Sequence, residues 1–277
     1  MPKSNFRIPD QTVFFCLARG YTGFRKHQYK KLILRNLFLN KFLNNKRSIN
    51  SVIFHEGNIS KFDQFMIRFL SGNFRIKFES IQEHWKRPDE FEWTGKSEFG
   101  LGYSLMCRFN YSLWWKYFDA YNYAARVDDD VLLIDTGFET QFTYKCAKLY
   151  PETHASTNVS FPNFLEDIGL LSSYNHMFPP NCFYFTDLIF WNNPEVSNFL
   201  ELVSKQPNSL EDRWGDTVVM GVALNSFGGD ADLKVDPSIE YMHLSHALHI
   251  KNGVESYGID NKILIYTLAI YRLIRYR

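Results

Sequence analysis

No run in this 277-residue chain is apolar for long enough to cross a bilayer, and the opening Met1-Pro2-Lys3-Ser4-Asn5-Phe6 lacks the apolar body of a secretory leader. The expectation is a cytoplasmic protein, soluble or attached to a membrane only peripherally. Excess charge is missing too, since 31 Lys and Arg meet 30 Asp and Glu for a formal net of +1. Bulk electrostatics then gives no grip on nucleic acid, which removes that class of partner. Cysteine is scarce: Cys16, Cys107, Cys146 and Cys182 stand far apart with no Cys-x-x-Cys pair. They read as buried thiols, not as a zinc site or a disulfide framework. Also absent are a glycine-rich phosphate loop, a dinucleotide fingerprint and any internal repeat.

Aromatic residues, by contrast, make up 17% of the chain, with 26 Phe and 16 Tyr. Such residues build deep cores and also stacking platforms for sugars and bases. The apolar run Val13-Phe14-Phe15-Cys16-Leu17-Ala18 predicts a buried strand opening at Arg19-Gly20 into a loop, where open α/β sheets bind ligands. A basic helix is expected over 24–43, with Tyr29, Leu32, Ile33 and Phe38 inward and Lys26, Lys30, Lys31 and Arg35 toward solvent. Ser51-Val52-Ile53-Phe54 reads as a second strand and Arg75-Ile76-Lys77-Phe78 as a third. Between them, a helix over 61–70 sets Phe62, Phe65, Met66, Phe69 and Leu70 on one face. The alternation predicts an α/β fold, one domain over 1–277, with a mainly parallel sheet flanked by helices. The polar and aromatic stretch 82–98 suits a loop covering a substrate. Further helices are expected at 103–118, 140–149, 161–171 and 194–204, with a strand entering a turn at 181–188.

The chemistry centres on Asp128-Asp129-Asp130, between Tyr123-Ala124-Ala125-Arg126-Val127 and the apolar Val131-Leu132-Leu133-Ile134. Clustered acids at a strand end repel one another and are tolerated in an interior only if a cation or a set of donors neutralises them. Hard divalent ions such as Mg or Mn take oxygen ligands and leave positions open for phosphate oxygens, which suits an enzyme handling a diphosphate. The ordinary alternative is a solvated acidic turn. His243, with His246 and His249 nearby, reads either as a metal ligand or as part of a His-rich surface turn. Asp216, ahead of an apolar helical run, reads either as a helix N-cap or as a carboxylate that binds or deprotonates an acceptor hydroxyl.

Three stretches taken together, Gln82-Glu83-His84-Trp85, Tyr103-Ser104-Leu105-Met106-Cys107-Arg108 and Tyr121-Asn122-Tyr123-Ala124-Ala125-Arg126-Val127-Asp128, resemble the motif order of the fungal α-1,2-mannosyltransferases of the glycolipid mannosyltransferase family. Downstream, Asp212-Arg213-Trp214-Gly215-Asp216 is similar to the family's Glu-Arg-Trp-Gly-Asp and Ile239-Glu240-Tyr241-Met242-His243 to its Ile-Gly-Tyr-x-His; the matches cover about 80–245 in order. The resemblance implies a GT-A-type glycosyltransferase moving a sugar from a nucleotide-sugar donor, GDP-mannose or a UDP-sugar such as UDP-xylose, to a glycan hydroxyl. It places Mn or Mg on Asp128, Asp130 and His243. The donor falls to Tyr103, Arg108, Asp128 and Arg213, and, from the position of the first strand's end rather than from the resemblance, to Arg19. Asp129 replaces the family's proline, and Tyr184 stands where the family has a glutamate below the anomeric carbon. A phenol of ordinary acidity is a poor nucleophile, which leaves front-face retention or a general base such as Asp216 or Asp187. From another class, a noncatalytic carbohydrate-binding or scaffold protein on a decayed transferase fold also fits. The stretch 259–277, with Ile263-Leu264-Ile265-Tyr266 and an Arg-rich end, is expected to form a terminal helix that packs on the domain or contacts a membrane peripherally.

Overall fold

The computed structural model describes residues 11–42, 50–72, 75–86, 91, 93–94, 100–135, 144–146, 149–151, 160–174, 177–212, 214–228 and 233–257. The expected terminal helix over 259–277, and Arg213, lie outside these residues.

The chain opens with strand β1 (Thr12–Ala18), a 3-10 turn over Gly23–Gln28, helix α1 (Tyr29–Phe42), β2 (Asn50–His55), α2 (Lys61–Leu70) and β3 (Arg75–Ser80). Next come α3 (Gly100–Ser112), β4 (Tyr123–Val127), β5 (Val131–Asp135), β6 (Tyr144–Cys146) and β7 (Tyr150–Pro151). After α4 (Ser160–Asp167), β8 (Met177–Phe178) and β9 (Phe183–Asp187) lie four helices: α5 (Leu188–Asn192), α6 (Pro194–Ser204), α7 (Asn208–Glu211) and α8 (Asp216–Phe227). β10 (Leu233–Val235), β11 (Glu240–His243), β12 (Leu248–Lys251) and β13 (Val254–Tyr257) follow.

Seven strands form the main sheet in the order β10-β6-β9-β4-β1-β2-β3, and β9 alone runs antiparallel to its neighbours. This is the mixed, mostly parallel sheet that the strand-helix alternation predicts. A second sheet, β13-β12-β11-β5, is antiparallel throughout. Period-two alternation divides the core. Val13, Phe15, Val52 and Phe54 face α3, α6 and α8, with Phe15 stacked on Trp114 at 4.5 Å. Phe14, Cys16, Ile53 and Ala125 face the side covered by α1. All four cysteines are buried and none is in a disulfide.

Several expectations need correction. The 140–149 stretch carries the short strand β6, whose Tyr144, Lys145 and Cys146 are buried beside β9. The helix after Gly100 stops at Ser112 and the chain continues as a 3-10 turn over Trp114–Tyr117. Arg35 points inward and is fully buried. Its guanidinium donates to the carbonyls of Val127 (3.0 Å) and Phe15 (3.2 Å) and to the side chains of Asn36 (2.9 Å) and Ser51 (3.0 Å). On α2 the aromatic residues face outward: Phe62, Phe65 and Phe69 are 68%, 60% and 69% exposed, because Ile67 and the polar Asp63 and Gln64 occupy the inner side.

Candidate active site

β1, β2 and β4 are parallel and deliver their carboxyl ends to one edge of the sheet, where open α/β folds bind ligands. Arg19 and Gly20 leave β1 there, with the Gly20 amide bonded to the Asn58 side chain at 3.0 Å and the Tyr21 amide to the Tyr29 hydroxyl at 2.9 Å. Glu56 lies in the field of Arg19, and Tyr21 in that of both Arg19 and Asp129, so the three loops share one electrostatic neighbourhood.

The acids occupy a tight turn between β4 and β5, closed by the Val131 amide on the Asp128 carbonyl at 3.0 Å. It is a turn, as the ordinary reading has it, but only partly solvated: Asp128 and Asp129 are half-buried and Asp130 is buried. Asp130 is 7% exposed, and burial together with Asp130 and Asp128 lifts the Asp129 carboxyl to about 7. Burial also raises Asp128, with Asp130 adding to it and Arg126 opposing it. This is the electrostatic state of a carboxylate cluster short of positive charge.

β11 pairs antiparallel with β5 in a register that sets His243 opposite Val131. The His243 Nε2 lies 3.1 Å from Asp130 Oδ1, and the Ser245 amide donates to Asp130 Oδ2 at 3.3 Å. Burial opposes a charged His243, but Asp130, with Cys182 beside the ring, outweighs it and raises the imidazole to about 10. Burial would raise Asp130, but His243 and Ser245 overcome it and hold the carboxyl at about 2. His249 pairs instead with Glu240 at 3.0 Å, and the His246 ring lies 4.3 Å from that of His243.

Asp128 is tied to the second part of the site by Arg126, a 4% exposed arginine on the face of β4 turned toward α3 and α8. Its Nε donates to Asp128 Oδ1 at 2.7 Å and its Nη1 to Asp216 Oδ2 at 3.2 Å. Asp216 also accepts from Asn110 Nδ2 (2.9 Å) and Asn181 Nδ2 (2.7 Å). It is therefore not an N-cap. Gly215 holds that position without a side-chain bond, and the 2% exposed Asp216 carboxylate is turned into the buried network.

Of the two other expected catalytic side chains, Tyr184 lies behind Arg126 and Asp187 lies away from the acid turn. Tyr184 pairs in register with Arg126 but is fully buried, stacked on Tyr144 at 4.7 Å, with burial raising its phenol far above the ordinary range. Asp187 pairs with Tyr123 at the start of β4, roughly 15 Å along the strands from Asp128. Its carboxylate caps α5 by accepting from the Ile189 amide at 2.8 Å. Tyr103, 37% exposed, and half-buried Arg108 lie on α3, the helix that supplies Asn110. Asn110 and Asn181 were not singled out in the sequence. Arg126 belongs to the 121–128 motif, and an arginine facing the core of an apolar strand is itself the signal of a buried ion pair.

Asp128, Asp130 and His243 offer two carboxylates and an imidazole, a donor set that suits Mn or Mg beside a diphosphate. Here Asp130 and His243 satisfy each other and Arg126 holds Asp128. Among the described residues no three such side chains converge as a ready-made cage.

No protein-family model and no curated protein sequence matches this chain. Among solved structures it is similar to core-mannan synthase A (CmsA/Ktr4) of Aspergillus fumigatus in its Mn/GDP form, with a TM-score of 0.72 and 16% identity, covering 88% of this chain and 77% of that one. It is likewise similar to the mannosyltransferase Ktr4p of S. cerevisiae, with a TM-score of 0.70 and 15% identity over 84% and 70% of the two chains. The same yeast protein in complex with GDP gives 0.70 at 13% identity. The chain thus has the α/β fold of these fungal mannosyltransferases, the family that its motif order resembles.

Proposed function

We propose that the protein is a metal-assisted glycosyltransferase that moves a sugar from a nucleotide-sugar donor to a hydroxyl of a glycan acceptor. The observation that carries this reading is the partly buried acid turn at the carboxyl end of β4, met by His243 from β11. Both stand on a fold shared with the mannosyltransferase Ktr4p and with a core-mannan synthase in its Mn/GDP form. GDP-mannose is the preferred donor on that ground, ahead of UDP-sugars.

Asp128, Asp130 and His243 would hold the ion; as a Lewis acid it would stabilise the departing diphosphate. A ligating imidazole is neutral, so the proton now shared by His243 and Asp130 would leave on loading. Arg126 fixes the Asp128 carboxylate, and Asp216 fixes Arg126 from behind, which makes Asp216 a positioning residue. Arg19, beyond the end of β1, would meet phosphate, with Tyr103, Arg108 and, from the sequence alone, Arg213 as further donor contacts. Tyr184 is buried and Asp187 is remote, which favours front-face attack with retention. In that route the bond from the anomeric carbon to phosphate breaks, the acceptor oxygen bonds to the same face, and its proton passes to the diphosphate.

A panel of GDP- and UDP-sugars, assayed for transfer and hydrolysis with Mn, tests the reading. EDTA should abolish turnover, and Asp128→Ala, Asp130→Ala and His243→Ala should each lower it on the order of a hundredfold or more. Full turnover in EDTA would sink the metal; nucleotide binding without turnover of any donor would leave a scaffold. NMR of the product's anomeric proton decides between retention and inversion.

A further inference from the structure

The outward face of α2 and the 3-10 turn before α1 form a surface that the proposed chemistry does not use. Phe62, Phe65 and Phe69 recur at helical spacing and are each more than half exposed, and Phe65 and Phe69 stack at 6.3 Å. Lys26 ties the turn to α2 through Asp63 at 2.9 Å, and the turn carries Phe24, which is fully exposed. A groove between the two helices is lined by Lys26, His27, Lys30, Met66 and Leu70. Solvating three phenyl rings on one helix face is costly, so such a patch in a folded protein marks a contact.

Charge narrows the choice of contact. Residues 23–42 hold no Asp or Glu, and Arg25, Lys26 and Lys30 are exposed there. α2 adds Lys61 and Arg68 against the single acid Asp63, which is buried and already bonded to Lys26 and Ser60. In a chain of net charge +1, this face is therefore basic around an aromatic centre. Phenyl rings that can enter the acyl boundary, ringed by cations at headgroup height, match an anionic lipid surface. We propose that α2 and the adjoining turn dock the protein on membranes rich in anionic lipid. The face is rigidly joined to the acid turn, because α1 bonds Ser245 through Lys31 at 2.7 Å and the Val127 carbonyl through Arg35.

Flotation of the full chain with vesicles of phosphatidylcholine alone, and with about one third phosphatidylserine, is the test. Binding is expected to the anionic vesicles and to fall at high salt. The pair Phe65→Ser and Phe69→Ser should reduce it about tenfold or more, as should the pair Arg25→Glu and Lys30→Glu. All four positions are exposed, so circular dichroism should show both variants folded. Failure to float with either vesicle would overturn the proposal. Flotation that both variants leave unchanged would do so too, by moving the contact to the apolar stretch 262–277. A dimer that the Phe variant dissociates, without vesicle binding, would assign the face to a second copy of the chain.

Discussion

Tyr184 and Asp216 face the same arginine and have opposite standing. The Tyr184 hydroxyl is buried with no well-formed hydrogen bond, so removing it costs little and relieves a desolvated polar atom. Tyr184→Phe is expected to keep substantial turnover and to unfold in urea at equal stability, or higher by up to about 1 kcal/mol. Asp216 accepts from Arg126, Asn110 and Asn181 at once. Burial opposes the charge on Arg126, and Asp128 and Asp216 together more than restore it. Asp216→Asn leaves that buried guanidinium with one carboxylate and should cost about 3 kcal/mol, with most activity lost through the misplaced Asp128. Unchanged urea stability in this variant would remove Asp216 from the positioning role.

α2 shows how one element is held by its first turn. The Ser60 hydroxyl accepts from the Asp63 amide at 3.1 Å and donates to the Asp63 carboxylate at 2.7 Å, and Lys26 closes the set from the 3-10 turn before α1. Losing this cap in Ser60→Ala should cost about 1 kcal/mol. Burial would raise the Asp63 carboxyl, yet Ser60 and Lys26 outweigh it and leave it below its ordinary 3.8. A carboxyl depressed by folding contributes stability that is present above its unfolded value and lost as pH falls through the lower folded one. Asp63→Asn should therefore melt below the parent at neutral pH, with the gap closing below pH 3.8. A gap of constant size across that range would mean that the ion pair contributes nothing.

At the scale of the whole molecule, Arg35 ties the covering helix to three strands. One guanidinium reaches β1 at Phe15, β2 at Ser51 and β4 at Val127, the residue before the acid turn. An ammonium cannot reproduce that fork. Arg35→Lys should lower stability by about 2 kcal/mol or more, leaving buried carbonyls unpaired, and should weaken donor binding by loosening the strand that carries Asp128. Parent-like melting and donor affinity in Arg35→Lys would show that the strands do not depend on this clamp.

Local pattern alone was enough for what depends on neighbours in the chain. Continuous apolar runs such as Val13 to Ala18, the Asn193-Pro194 start of α6 and the acid triplet after an apolar strand all carry their structural meaning within a few residues. The order of motifs from Gln82 to His243 likewise pointed to the family whose fold the structure has. What the sequence could not settle is direction across space. Arg35 and the α2 phenylalanines sit at helical spacings that fit either side, and only the position of the sheet shows that the arginine is inside and the rings are outside. Asp187 looked close to the chemistry because it follows Tyr184 by three residues. β9 runs antiparallel to β4, however, so each step toward Asp187 leads away from Asp128. Asp130 and His243 are 113 residues apart in the chain and meet at 3.1 Å because β11 pairs with β5, and strand pairing is a tertiary fact.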